Sequence, residues 1–277
     1  MKKIIDTILY YDEVLILDLR LNILDKHIDH FVILECNYDF NGAYKGYNFD
    51  IQNFVKFKDK IIYIKLDLSE EIHLIKNNGW LVHDRSRDAI INSLEFVKDE
   101  DIVIHSDADE IPNLENIDFQ NIKNKIYIFE QKIFYFKFNL QDASHSWNKS
   151  KMCKFKLLKS FSSLRWLKGK KYNFYRIDTL FKKNHSLNVL MIKNGGWHFT
   201  YIKNLNDIAK KLNSVVEKEH GNYTIDFIKS QIDKRINFLH RDLTQLTKLD
   251  LEGNFPEYLI KNKENKATRR PDAKLAN

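Results

Sequence analysis

The sequence predicts an α/β protein with a mostly parallel sheet, later antiparallel strands and C-terminal helices. Three observations carry this. Short apolar runs alternate with amphipathic helical stretches through the first 110 or so residues. A long β-favouring aromatic run, Ile126 to Phe138, then breaks the alternation. Beyond residue 200 the apolar residues recur at helical spacing.

The elements follow in order. Residues 3–10 read as a strand, and 12–25 as a helix with Val14, Leu17, Leu21 and Leu24 on one stripe. Phe31 to Leu34 is a strand ending at Glu35, followed over 37–50 by a polar and aromatic loop with Gly42 and Gly46. Ile61 to Leu66 is the next strand. Residues 84–98 are expected to be helical, with Ala89, Ile90, Leu94 and Val97 inward, before a buried strand at Ile102-Val-Ile104. Residues 153–158 and 172–181 look strand-like, and Gly195-Gly196 is a turn feeding a short strand. Two helices close the pattern. The second starts at an Asn222 or Thr224 cap and runs through Ile225, Ile228, Ile232, Ile236, Leu239 and Leu243. There is no internal repeat, and the last ten or so residues, including Thr268 to Asp272, read as a frayed polar tail or a cloning remnant.

Composition bounds the class. With 277 residues, 43% hydrophobic and 13% aromatic, the chain is globular with a sizeable core. Cys36 and Cys153 are too far apart in sequence for a zinc motif and read as buried thiols in a reducing compartment. No apolar run approaches the length of a membrane span, and Asp6 interrupts the opening apolar stretch, so a cytoplasmic protein is expected, with peripheral membrane contact left open. The net charge of +7 is uneven. Residues 1–150 carry 18 Lys and Arg against 26 Asp and Glu, whereas residues 151–277 carry 27 against 12. The basic half reads either as solvated helix faces or as a surface for a pyrophosphate, an anionic membrane or a nucleic acid.

The stretch richest in chemistry is Asp107-Ala-Asp109-Glu110-Ile-Pro112. Three carboxylates in four residues at the end of a buried strand repel one another and lose solvation. A divalent cation relieves both, and hard oxygen ligands suit Mg²⁺ or Mn²⁺. The end of a strand in an α/β sheet is also where ligands bind. The plainer reading is a solvated acidic turn capping a following helix.

Several segments together resemble glycosyltransferase family 17. They are Asp6-Thr-Ile-Leu-Tyr-Tyr-Asp-Glu13; Leu19-Arg20-Leu-Asn22; Phe31-Val-Ile-Leu-Glu35-Cys-Asn37 with Phe40-Asn-Gly42 and Lys45; Trp80 and Arg87; Ser106-Asp107-Ala-Asp109-Glu110-Ile-Pro112; and Gly196-Trp197-His198-Phe199. The resemblance spans roughly residues 5–245; any one motif is weak, and their order makes the set specific. It implies a GT-A fold, a Rossmann-like mixed sheet with a metal-dependent nucleotide-sugar site, and inversion at the anomeric carbon. A single catalytic domain is then expected over 1–245, with a nucleotide-sugar and metal half (1–125), an acceptor half (126–245) and a C-terminal extension (246–277). The donor is expected to be UDP-linked, with GlcNAc a candidate sugar. Without an apparent membrane anchor, a polysaccharide, lipopolysaccharide or other glycan or glycolipid acceptor is expected rather than a Golgi N-glycan.

Residue roles follow as expectations. Asp109 is the first choice for direct metal ligand, and Asp107 binds the metal through water or holds the ribose. Glu110 orients the metal shell or caps the next turn. His198 is a metal or pyrophosphate ligand, or a packing residue beside Trp197. Glu35 contacts ribose or base, or caps a loop. Arg87 holds a phosphate or locks a carboxylate, and Arg20 and Lys45 share that ambiguity. Trp80 and Trp197 read as core or pocket wall rather than sugar platforms. An inverting transferase also needs a base for the acceptor hydroxyl; Glu130, Asp142, His145 and Asp178 are candidates, with Asp142 and His145 in a polar loop. Two other functions remain open at this point: metal-dependent phosphoryl transfer or hydrolysis, and nucleic-acid binding through the basic half, including glycosylation of modified DNA.

Overall fold

The computed structural model describes residues 2–39, 42–75, 78–168, 189–214, 223–239 and 243–262. The expected strand at 172–181, the Asn222 cap, the polar tail and Asp178 lie outside them. The strands are β1 (Ile4–Tyr10), β2 (His30–Cys36), β3 (Ile61–Leu66), β4 (Ile102–Asp107), β5 (Glu110–Pro112), β6 (Ile126–Phe129) and β7 (Gln131–Tyr135), then β8 (Leu140–Trp147), β9 (Lys151–Lys154), β10 (Val189–Ile192), β11 (Gly196–Thr200), β12 (Ile236–Asn237), β13 (Thr244–Gln245) and β14 (Thr247–Lys248). The helices are α1 (Val14–Leu24), α2 (Ile72–Ile75), α3 (Gly79–Ala89), α4 (Phe161–Trp166), α5 (Leu205–Ser214), α6 (Ile225–Asp233) and α7 (Glu257–Lys261). Among the described residues no helix is long and apolar enough to cross a membrane.

A seven-stranded sheet runs β10-β6-β9-β4-β1-β2-β3. Strands β3, β2, β1 and β4 are parallel, and β9 is inserted antiparallel between β4 and β6. The chain winds from β1 to β2 and β3 on one side and returns to β4 on the other, so a crevice opens beyond the carboxyl ends of β1 and β4. These strands are apolar on both faces because helices cover both. Leu17, Leu21, Phe31 and Ile104 fill one layer with α1; Val32, Val103, Ile90 and Phe161 fill the other with α3 and α4. Cys36 and Cys153 are buried free thiols. The arrangement is a mixed α/β sheet flanked by helices, compatible with the GT-A type.

A second sheet, β14-β8-β7-β11-β5, abuts the first. The aromatic run 126–138 therefore does not form one strand: it divides at Glu130, with β6 in the first sheet and β7 in the second. The 84–98 helix is shifted. It starts at Gly79, where the Asn78 side chain accepts from the Leu81 amide, and ends at Ala89. Ser93 then bonds the Ile90 carbonyl, a local competitor of helix. Ile90, Leu94 and Val97 are nonetheless buried as expected. The last expected helix starts at Thr224 and stops at Asp233, because Arg235 turns left-handed at φ +57° and Ile236–Asn237 pair with β13.

Two glycines make the junction possible. A Cβ on Gly195 would lie 2.7 Å from the Ile192 carbonyl; one on Gly196, at φ +130°, would lie 2.2 Å from the Ile111 carbonyl. Both contacts are with backbone, which cannot move aside. Gly196→Ala is therefore expected to cost at least about 2 kcal/mol, read from the urea midpoint; an unshifted midpoint would refute the close approach.

Candidate active site

The Asp-x-Asp turn is where the two sheets meet. Strand β4 ends at Asp107, and β5 begins three residues later in the other sheet. There Glu110 pairs with His198 across the β5–β11 ladder, and the Phe199 amide bonds the Asp109 carbonyl. This ladder brings together residues about ninety positions apart. Asp109, Glu110 and His198 form one cluster whose potential ligand atoms all lie within 4.8 Å of one another.

Arg20 fixes the turn from beneath. Its guanidinium forks onto Asp6 at 2.7 and 2.8 Å, and also donates to Ser106 Oγ and to the carbonyls of Asp107 and Glu110. Arg165 fixes it from the side. It donates to both Glu110 oxygens, at 2.5 and 2.7 Å, and to Asp107 Oδ2 at 2.7 Å. Trp147 Nε1 supplies a further bond to Glu110. Arg87 pairs with the other Asp107 oxygen at 3.0 Å. Burial opposes the charge on Asp107, but Arg165 and Arg87 outweigh it and hold its carboxyl well below the usual range.

Asp109 differs from its neighbours. Burial also opposes its ionisation, and His198 and Lys211 keep its pKa below normal. Its Oδ2 stands 3.6 Å from His198 Nε2, too far for a good hydrogen bond. Two ligands of one ion with bonds of about 2.1 Å stand roughly 3.0–4.2 Å apart, so the spacing fits a shared cation. The His198 ring is stacked on Trp147 at 4.5 Å, and its Nδ1 is buried with no hydrogen-bond partner among the described residues. An imidazole and a carboxylate suit Mn²⁺ or Mg²⁺.

Asp107 and Asp109 open into a cleft of about 440 Å³ beyond the ends of β1, β2 and β4. Tyr10 to Glu13 line it from the β1–α1 loop, Trp80 and His83 from α3, and Lys203, Lys210 and Lys211 from the α5 region. Burial, reinforced by Arg87, pushes the His83 pKa down to about 3, so its ring is neutral at ordinary pH. Trp80 is 54% exposed on the cleft wall, while Trp197 is buried and bonds the Asn254 carbonyl.

The expected site residues divide accordingly. Asp107, Asp109 and Lys45 line the cleft; His198 does not, but its Nε2 stands 3.6 Å from Asp109. Arg87 is buried behind Asp107, in the carboxylate-locking arrangement. Arg20, expected to contact the nucleotide, is wholly enclosed by its internal partners. Glu35, expected to touch ribose or base, is wholly buried and accepts from Lys45, the amides of Asn48 and Phe49, and Tyr63; it closes the loop after β2. Glu130 pairs with Lys193 at the β6–β7 junction, outside the cleft lining. Asp142 and His145 are not in a loop but in β8, beside a bulge, and neither lines the cleft. Asp142 is buried and held by the Ser144 amide, Asn237 and Thr244; His145, 44% exposed, hydrogen-bonds to it at 3.1 Å. Sequence reasoning missed His83, Arg165 and Lys211. The last two have no motif: the sequence predicts no helix around Arg165, and the basic residues of this half read as solvated or as a surface for an anionic partner.

A search among curated proteins finds no match. The sequence model of glycosyltransferase family 17 matches residues 1–237, a span that includes both sheets' site strands, the Asp-x-Asp turn and His198. This decides for sugar transfer over the other readings of the sequence: the chain belongs to glycosyltransferase family 17 and is a glycosyltransferase, a class of enzyme that takes a nucleotide-sugar donor and a glycan acceptor.

Proposed function

We propose that the protein transfers a sugar from a UDP-linked donor to a hydroxyl of a glycan or glycolipid, with inversion, using Mn²⁺ or Mg²⁺ held by Asp109 and His198. The observation that carries this reading is the 3.6 Å juxtaposition of His198 with Asp109, which lines a cleft at the sheet's crossover point. When bound, the ion neutralises charge growing on the departing nucleoside diphosphate. Asp107, clamped by Arg87 and Arg165, keeps the turn rigid and offers its outer edge to ribose or to a metal-bound water. Tyr10 and Tyr11, at the end of β1, supply the wall for the base.

For the acceptor base, His145 oriented by buried Asp142 is the arrangement the geometry favours among the expected candidates. Asp142 pairs with Ile133, and Ile133 with His198, so the dyad stands two strand spacings, about 10 Å, along the second sheet from the metal site. His145→Gln is expected to lower kcat about a hundredfold, with unchanged nucleotide affinity; an unchanged kcat would exclude His145.

Thermal stability with a panel of nucleoside diphosphates, each with and without Mn²⁺, tests the donor site. A ligand that binds the native state raises its melting temperature. A UDP-selective, Mn²⁺-dependent rise is expected; equal rises for all nucleotides would refute the UDP assignment.

A further inference from the structure

Helix α5 buries Ile208 and Ala209 in the core of the second sheet and turns Asp207, Lys210 and Lys211 into the cleft. Lys211 Nζ lies 3.8 Å from Glu13 Oε1 and 5.1 Å from the centroid of the Tyr201 ring. A fixed positive charge thus stands between the acids of the β1–α1 loop and the Asp-x-Asp turn. Burial opposes that charge, yet Glu13 and Asp109 hold the lysine pKa above its usual range. Building on the donor-site reading, we propose that Lys211 is the leaving-group cation, bonding the terminal phosphate of the nucleoside diphosphate as it departs.

The charge balance calls for such a group. A nucleotide-sugar diphosphate carries two negative charges. When the bond from the anomeric carbon to the phosphate oxygen breaks, the electron pair stays on oxygen and a third charge appears. The acceptor oxygen forms the new bond and its proton goes to the base. A divalent ion whose charge is already partly offset by Asp109 does not balance three. An ammonium on the opposite wall supplies the missing positive charge just where it develops. Lys211 is the cleft lysine taken for this role because its Nζ stands over the Tyr201 ring and makes a long, 3.8 Å ion pair with Glu13, whereas Lys203 closes a short one with Asp12.

The test uses Lys211→Met, which keeps an unbranched aliphatic side chain without the charge, and Lys211→Arg, which keeps the charge. Calorimetric affinities for UDP, UMP and Mn²⁺ alone are compared with those of the parent. The Met variant is expected to lose about tenfold to a hundredfold in UDP affinity, with UMP changed less than about twofold and Mn²⁺ bound at least as tightly; the Arg variant is expected to recover most of the UDP affinity. Equal losses for UDP and UMP, no loss for either, or loss of Mn²⁺ binding would overturn the assignment. A parent that binds no nucleoside diphosphate would instead overturn the donor-site reading, and this proposal with it.

Discussion

Asp109→Asn is expected to reduce sugar transfer at least about a thousandfold while leaving stability within about 1 kcal/mol of the parent. The size of the first effect comes from position. Asp109 is the acid of the turn that no arginine clamps, and it faces His198 across a gap suited to an ion. An amide keeps its shape but offers a neutral, weak ligand. The smallness of the second effect has the same origin: the backbone bond from Phe199 to Asp109 is untouched, and no buried guanidinium loses its partner. Asp107→Asn should behave oppositely. It leaves Arg87 and Arg165 short of charge in a buried place, so stability falls along with activity. Equal activity losses with equal destabilisation in both variants would erase the distinction between ligand and clamp. The measurements are initial rates and urea midpoints on the same preparations.

Arg165→Met is expected to destabilise the protein by about 3–5 kcal/mol, the range for breaking a buried ion pair from one side. Arg165 is almost wholly buried and serves two carboxylates at once. Among the described residues, its removal leaves the Glu110 carboxylate with Trp147 Nε1 and a long bond from the Asp107 amide, and the Asp107 carboxylate with Arg87. The acid limb of stability should move as well. A carboxyl whose pKa falls on folding stabilises the native state above its unfolded pKa of about 3.9, and that contribution is lost as pH drops toward the folded value. In the parent the folded value of Asp107 is far below normal, so its contribution persists until strongly acidic pH. With Arg165 gone the depression shrinks, and the acid-unfolding midpoint should rise. An unchanged midpoint would mean that Arg165 does not hold Asp107 in its charged state.

The parallel half of the fold is legible because its strands are buried on both faces and read as unbroken apolar runs, as at Phe31–Leu34 and Ile102–Ile104. The Asp-x-Asp turn is legible because three clustered acids have few other physical explanations. His198 follows from the two glycines, which mark a close backbone approach. What fails is whatever depends on pairing between distant strands. The run 126–138 carries nothing local to show that Glu130 marks a change of sheet. Gln141 to Trp147 looks like a polar loop because Ala143 to Ser146 are exposed, although the backbone is paired in β8. Glu35 and Arg20 are open in the sequence to a ligand contact or to an internal tie, because charged residues at strand ends and near motifs suit either; here they are internal ties that hold the loop after β2 and the turn after β4. Arg165 and Lys211 are invisible for the converse reason. Neither belongs to a motif, α4 is too short to show a helical period, and only packing turns the two side chains toward the acids.

The central claim is that Asp109 and His198 share one divalent ion in the cleft. Anomalous scattering at the manganese edge, from crystals grown with Mn²⁺ and UDP, tests it most directly. The account predicts a single peak about 2.0–2.3 Å from both Asp109 Oδ2 and His198 Nε2, with the diphosphate beside it. UDP bound in the cleft with no ion at that position, or an ion ligated by Asp107 and Glu110 with their arginines displaced, would contradict it.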